Sequence, residues 1–509
     1  MTITSRVLLV VLPAVALGTA LPAAQSGTGV LASYARARGL LERAIAAHGG
    51  SSALNRARQV RVTFSGHDVW RNQSRRVDPP YDREPLDVDL MIDLDRGRLV
   101  FERINSFPGG AHVNTVFITN GDRGLTIDKR RGTHTVRQFP PADTQTGNLY
   151  YLPQFLLIKA REHAGGLRAL GRMPLAGGGE AEVIATGTPQ GPLTIAIDAA
   201  TGQVRAQIHV VSDPLLGDAQ VEIAYSDYRD MNGLLMPGRR IVRRNAEVTQ
   251  ELAITSASPG YQIPDAALSP PVESVDTTSN PAPEPVRTLA PGVWAIGGNT
   301  ACLAVAFNDH VLVVDTPGIA ADVISRLATL APGKPVRYAI PTHHHDDHAG
   351  GIARFAAAGA TIVTTARNRN YLERMALARS TLGPEVPSAP AGGVRMETID
   401  RSRVFTDGAR TVEIHNIGPS PHADDMFVAW LPREGILFQA DLISTPDGTV
   451  RPGSNNDTTM HLGRWLRERG WNVTLIAGAH ASVSSLAAFE QLLKQPLVPA
   501  RGTQEGGAR

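Results

Sequence analysis

Cysteine is almost missing from this sequence. Cys302 stands alone among 509 residues, which excludes an intramolecular disulfide, a cysteine-based zinc finger and an iron–sulfur cluster. A charge surplus is missing as well. Fifty Lys and Arg face 48 Asp and Glu, so the chain lacks the basic excess that accompanies nucleic-acid binding, and no nucleic-acid partner is expected. Charged residues make up 19% and hydrophobic residues 42%, a balance that rules out wholesale disorder and a coiled coil. No nucleophile elbow, Walker loop or dinucleotide glycine fingerprint occurs, and Gly109-Gly110 and Gly177-Gly178-Gly179 read as plain loops. Beyond the first residues no segment is long and apolar enough to span a bilayer, which takes about 20 apolar residues. There is no internal repeat.

The first residues do carry an apolar run. Met1 to Arg6 is short and cationic, Val7 to about Ala20 is apolar, and small residues lead to Gln25. That order predicts a secretory signal over residues 1–24, and Pro13 and Gly18 interrupt it as a membrane span. No Cys follows the run, so a lipid-modified N-terminus is not expected. The mature protein is expected to be exported, and the Ala-, Arg- and Gly-rich usage points to a bacterial periplasmic or secreted protein. At about 100–200 residues per domain, the length suits two to four domains.

Residues 28–263 read as a largely antiparallel β domain. Leu31, Tyr34, Leu40, Leu41 and Ile45 recur at helical spacing before Gly49-Gly50. Alternating strands follow: Val60, Val62 and Phe64, then Leu86, Val88, Leu90, Ile92 and Leu94. Turn signals at Asp95-Arg96-Gly97, Asn120-Gly121-Asp122, Arg131-Gly132 and Thr201-Gly202 predict hairpins. Val221 to Tyr225 and Ile241 to Ile254 continue the pattern. This helix-then-meander layout, with Asp227-Tyr228-Arg229 ahead of Gly233 to Pro237, is similar to that of the periplasmic outer-membrane lipoprotein carrier family. Such a sheet could hold an acyl chain or serve as a docking module.

A Pro- and Ser/Thr-rich stretch at 264–285 reads as a linker. Over 286–500 apolar strand-like runs (Val293 to Ile296, Leu303 to Phe307, Val311 to Val314) alternate with helical segments (Ile319 to Leu330, Ile352 to Ala358, Leu486 to Leu493), the pattern of an α/β fold. Arg367 to Val386 is expected to be helical and, with Tyr371, Leu372, Met375 and Leu377, either covers a pocket or packs as an ordinary helix. Ser454 to Thr459 reads as a polar loop, with His461 beyond it as a candidate pocket residue. Residues 501–509 are expected to be a disordered tail.

The sharpest feature is Thr342-His343-His344-His345-Asp346-Asp347-His348-Ala349-Gly350-Gly351, after the apolar run Val336 to Ile340 and before an Ala-rich helix. Four imidazoles and two carboxylates within six residues suit zinc, with iron or manganese as alternatives. In extended chain alternate residues share a side, so His343 and His345 can hold one metal while His344 points elsewhere. Asp347 and His348 then turn toward a neighbouring position. Two metals roughly 3.5–4 Å apart share a hydroxide that is nucleophilic at neutral pH.

This string resembles the His-x-His-x-Asp-His signature of the metallo-β-lactamase fold superfamily, whose further landmarks appear in order over residues 286–495. Val311 to Gly318 resembles the strand motif whose Asp, here Asp315, braces the metal loops. Pro421 to Pro432 resembles the segment carrying the third His of the first metal, His422. Gly435 to Asp441 is similar to the strand that ends in the Asp bridging both metals. Leu475 to His480 resembles the last strand, whose His completes the second metal. The resemblance therefore implies an αββα sandwich, preceded here by the β domain. It also implies a first metal on His343, His345 and His422, a second on Asp347, His348 and His480, and Asp441 between them. The activity it implies is that of a dinuclear zinc hydrolase in which a hydroxide oriented by Asp347 attacks the carbonyl of a small ester, lactone, thioester or amide.

Three departures qualify it. Position 441 is Asp where several true β-lactamases have Cys or Ser, which favours the other hydrolase branches. Asp346 stands where a bulky residue is usual. Ala479 and Ala481 flank His480 instead of a trailing Gly, which weakens the second metal position. Two other readings remain: a mono-iron dioxygenase on the same fold, and a periplasmic binding or carrier protein with a vestigial metal site. The remaining histidines (His48, His67, His112, His134, His163, His209, His310, His415) have no spaced partner and read as surface or core positions.

Overall fold

The computed structural model describes residues 27–108, 112–138, 152–175, 178–189, 191–279, 285–298, 300–382, 393–443, 455–480 and 483–496. The expected signal (1–24) and tail (501–509) lie outside them. No helix among the described residues is long and apolar enough to cross a membrane.

Helix Gly27–Ala47 buries Leu40, Leu41 and Ile45. Gly49 and Gly50 end it in left-handed conformations (φ 91° and 74°), and a short helix, Gly50–Ala57, follows. The expected meander then forms one large sheet of fourteen strands, antiparallel throughout except at one edge. Strand Gln59–Val69 lies beside Arg83–Asp93, pairing Val60 with Ile92, Val62 with Leu90 and Phe64 with Val88. These residues alternate onto one face and all are buried there. The two N-terminal helices cover that face together with helix Pro153–Glu162, whose run Phe155 to Ile158 is wholly buried. The helix at 153 was not legible by periodicity, because an apolar run buried on every side has no period to read.

Part of the Pro-rich stretch is not a free linker. Val275–Asp276 pairs in parallel with Thr133–His134, and Ser274 and Thr277 bond to His134. The strand Thr133–Gln138 would otherwise leave an unpaired edge, and this segment covers it.

The C-terminal region is two sheets packed face to face. One runs through strands Val286–Ala290, Val293–Gly297, Ala301–Ala306, Val311–Val314, Val336–Ile340, Thr361–Thr364 and Met396–Thr398. The other runs through Ser402–Thr406, Thr411–Asn416, Phe427–Leu431, Ile436–Gln439, Leu475–Gly478 and Ser484–Ser485. Leu303, Val305 and Val314 of the first meet Phe427, Ala429 and Phe438 of the second in a common core. Helices Ala320–Leu330, Ile352–Ala357 and Arg369–Leu377 pack against the first sheet. Asp457–Arg469 and Leu486–Leu493 pack their apolar side chains into the core of the second. This is the αββα layering that the resemblance implies.

One open reading is decided and one local expectation changes. The segment from 367 is a core helix, since Tyr371, Leu372 and Met375 are buried against the first sheet while Leu377 faces solvent. The supposed polar loop at 454–459 is in part the start of helix Asp457–Arg469: the Asn456 side chain accepts from the Thr459 amide, and Gly470 closes the helix at φ 63°. His461 sits on this helix and reaches the Ile417 carbonyl at 2.9 Å.

Candidate metal centre

The parallel strands Val311–Val314 and Val336–Ile340 end side by side, and their C-terminal ends carry Asp315 and the His-rich loop. Asp315 takes a left-handed conformation, φ 70°, which few non-glycine residues adopt. That twist lets its carboxylate reach both ends of the loop. Oδ1 accepts from the Thr342 amide at 2.8 Å and Oδ2 from His348 Nδ1 at 2.9 Å. Asp346–Ala349 is one turn of helix, and the two glycines after it seat that turn. Gly350 and Gly351 have ordinary right-handed φ values, so conformational freedom is not why they are there. A Cβ on Gly351 would stand 2.1 Å from the Pro317 carbonyl, so the residue is small because backbone crosses backbone.

The other sheet delivers the distant residues. His422 lies in a turn held by Ser420 Oγ, which accepts from the amides of His422 and Ala423. The Phe427 amide bonds to the Thr342 carbonyl, which ties that turn to the His-rich loop. Asp441 follows strand Ile436–Gln439 in a turn closed by Gln439 Oε1, which accepts from the amides of Leu442 and Ile443. His480 follows strand Leu475–Gly478, beside Asp441's strand.

All seven residues expected as ligands come together. The nitrogens of His343, His345 and His422 form one group; an Asp347 oxygen with the nitrogens of His348 and His480 forms another. Within each group the atoms lie within 4.8 Å of one another. Asp441 stands between the groups, its Oδ2 2.7 Å from His348 Nε2, 3.5 Å from His343 Nε2 and 3.6 Å from His422 Nε2, and its Oδ1 3.5 Å from His480 Nε2. His344 belongs to neither group and packs its ring against Tyr371. Asp346 turns aside to accept from Gln73 Nε2 at 2.7 Å.

Protonation sites fit the same picture. A carbonyl can only accept, so His345 Nε2, 2.9 Å from the Ser74 carbonyl, carries the proton. Its Nδ1 is then an unprotonated donor atom, buried and without a hydrogen-bond partner. Asp315 fixes the proton of His348 on Nδ1 in the same way and leaves Nε2 toward the centre. Burial, reinforced by neighbouring imidazoles, holds His343 and His345 well below the ordinary imidazole pKa, so both are neutral. Burial opposes ionisation of Asp441, but His348 and His422 outweigh it and keep the carboxyl well below the usual range. Burial also opposes charge on His348; there the carboxylates of Asp441, Asp315 and Asp347 prevail and raise it well above its ordinary value. Three carboxylates around one buried imidazole are an excess of negative charge that a divalent cation neutralises. The donor set, imidazole nitrogen and carboxylate oxygen with no sulfur, suits zinc, iron or manganese.

Two contributors were not anticipated. Gln73 and Ser74 belong to the loop between strands Gln59–Val69 and Arg83–Asp93 of the large sheet. Their one sequence signal was the interval itself: hairpin strands are seldom joined by a connection spanning residues 70–82.

A pocket of about 620 Å³ opens beside Asp347. Its walls among the described residues include Gly298, Thr300, Pro317, Gly318, Ile319, Asp346, Asp347 and Gly350, with Pro214 from a turn of the large sheet.

Comparison with known proteins bears on residues 295–483, which match the model of the family described as Metallo-beta-lactamase superfamily. Over 183 residues the chain is 31% identical to the 2,4-dinitroanisole O-demethylase subunit alpha of Nocardioides sp. (strain JS1661), a match covering 35% of this chain and 51% of that protein. Over 165 residues it is 24% identical to the metallo-beta-lactamase type 2 of Elizabethkingia meningoseptica, covering 32% and 59%. The chain thus spans between half and three-fifths of the length of these relatives. Among solved structures, a metallo-beta-lactamase from Pontibacter korlensis aligns with a TM-score of 0.30 at 15% identity, over 57% of this chain and 100% of that one. A metallo-beta-lactamase of Pseudomonas aeruginosa in its mono-zinc form aligns with a TM-score of 0.29 at 22% identity, over 42% and 95%.

Proposed function

Taking residues 295–483 as a domain of the metallo-beta-lactamase superfamily, we propose that this protein is a metal-dependent hydrolase of small carbonyl compounds, an ester, lactone, thioester or amide. One observation carries the reading: two three-residue ligand groups converge with Asp441 between them. His343, His345 and His422 would hold one ion and Asp347, His348 and His480 the other. Zinc in such a pair of positions lowers the pKa of water toward neutrality and polarises a substrate oxygen.

The protein's own groups do the rest. Asp347 is the one carboxylate of the ligand set that also lines the pocket, where it can accept a hydrogen bond from an attacking water and orient it. Its carboxyl stays ionised far below the usual range: His348 and His480 overcome the burial that opposes charge. Pro317, Gly318 and Ile319 give the pocket an apolar wall. The O-demethylase relative adds uncharged aryl methyl ethers to the compounds worth assaying. An N-terminal signal would place the enzyme in a bacterial periplasm or outside the cell.

Elemental analysis of protein purified without chelator tests the reading. About two zinc per chain, with hydrolysis of neutral aryl esters or lactones that is lost on chelation, is the expected result. One iron per chain would favour an oxidation on the same fold, and no metal after reconstitution would overturn the proposal.

A further inference from the structure

The metal centre is not built from the C-terminal sheets alone. Residues 70–82 of the large sheet reach across to it. Gln73 Nε2 donates to Asp347 Oδ1 at 2.9 Å as well as to Asp346 Oδ1. With Oδ1 taken, Asp347 turns Oδ2 to His480 Nε2 at 2.9 Å and His348 Nε2 at 3.4 Å. The Ser74 carbonyl holds the proton of His345 on Nε2 and so frees Nδ1.

The loop is fixed at both ends and docked in the middle. Asp82 gathers the Ser74 hydroxyl, the Arg75 amide and the Arg75 guanidinium onto one carboxylate. Arg71 is anchored at 2.6 Å to the fully buried Asp213, which Arg244 also pairs at 2.8 Å. On the far side the Asp424 amide donates to the Arg75 carbonyl at 2.7 Å, and Val77 is buried in the core of the first C-terminal sheet. A second bridge stands beside it, where Asp218 accepts from the hydroxyls of Ser380 and Thr381.

We propose that this loop is an integral part of the metal centre, with Gln73 and Ser74 as positioning residues: Gln73 aims Asp347 at the second ligand group, and the Ser74 carbonyl sets the tautomer in which His345 serves the first. The inference rests on the metal reading above and gives the β-rich region a role in it. Partners that orient a ligand typically change metal affinity by about 10–100-fold.

The test is zinc titration of the metal-stripped full chain against a chromophoric chelator, with cobalt(II) absorption spectra alongside, for wild type, Gln73→Met and Asp82→Ala. Gln73→Met keeps the length of the side chain and removes the donor. Its first zinc equivalent is expected to keep wild-type affinity, the second to weaken by about 10–100-fold, and the cobalt spectrum of the second equivalent to shift. Asp82→Ala frees the Ser74 end of the loop and is expected to weaken the first equivalent as well. If Asp82→Ala does not fold, Gln73→Met decides alone. Wild-type affinities and spectra in a folded Gln73→Met overturn this assignment and leave the metal centre standing. A wild-type chain that takes up no zinc overturns the metal centre and this assignment with it.

Discussion

Asp315 Oδ2 lies 2.9 Å from His348 Nδ1, and both side chains are fully sealed from solvent. The same carboxylate holds the Thr342 amide, so one residue fixes where the His-rich loop begins and which nitrogen of His348 faces the centre. Asp315→Asn keeps an acceptor for the Thr342 amide and tolerates the left-handed backbone, but it loses the charge that orients His348. The variant is expected to bind its second zinc about 10–100-fold more weakly. Chelator competition checks it, and an unchanged second affinity would leave Asp315 a purely structural role.

Gly351 is expected to accept no side chain. A Cβ there meets the Pro317 carbonyl at 2.1 Å and Ala320 Cβ at 2.7 Å, so Gly351→Ala must push the one-turn helix away from the Asp315 strand. Overpacking of this kind costs about 1–3 kcal/mol. Thermal unfolding should therefore shift downward, and zinc affinity should fall with it because Asp347 and His348 sit on the displaced turn.

His344 separates ligation from packing. It lies among six consecutive His and Asp residues of the motif yet belongs to neither ligand group. Burial drops its pKa to about 3, and its ring meets Tyr371 edge-on at 5.4 Å. His344→Ala is expected to retain both zinc equivalents while losing roughly 2–4 kcal/mol of stability to the cavity left behind. Loss of one zinc equivalent in the folded variant would put His344 among the ligands.

Much of this arrangement was legible in the sequence, for identifiable reasons. Val60, Val62 and Phe64 announce a strand because one face is buried and period two is the only pattern that achieves it. The His-rich loop is legible because no packing requirement places four imidazoles together. His422 came only through the ordered resemblance, since a single residue in a polar turn carries no period, whereas Asp441 and His480 also close apolar runs. What could not be read is what depends on distant chain. Gln73 is 273 positions from Asp346, and nothing local distinguishes it from any glutamine in a long loop. The helix at 457 was a different failure, since Asn456 and Gly470 marked its ends and the polar run between Ser454 and Thr459 was given more weight.

His48 offers a pH signature unrelated to metal. It is fully buried between the N-terminal helices and the large sheet, and its Nε2 accepts from the Val204 amide at 3.1 Å. Burial lowers its pKa from 6.5 to about 4. In the unfolded chain the imidazole takes a proton as pH falls through 6.5, whereas in the folded chain it stays neutral until about 4. Between those values the unfolded state binds more protons, so stability is fully present above 6.5 and declines as pH falls toward 4. At about 1.4 kcal/mol per pH unit the whole window is worth roughly 3 kcal/mol. His48→Gln keeps an acceptor for the Val204 amide and cannot titrate. Urea unfolding of wild type and variant from pH 7 to pH 4 should show the two curves converging or crossing as pH falls, with wild type losing more. Parallel curves across that window would mean that His48 is protonated as easily in the folded protein as in the unfolded chain.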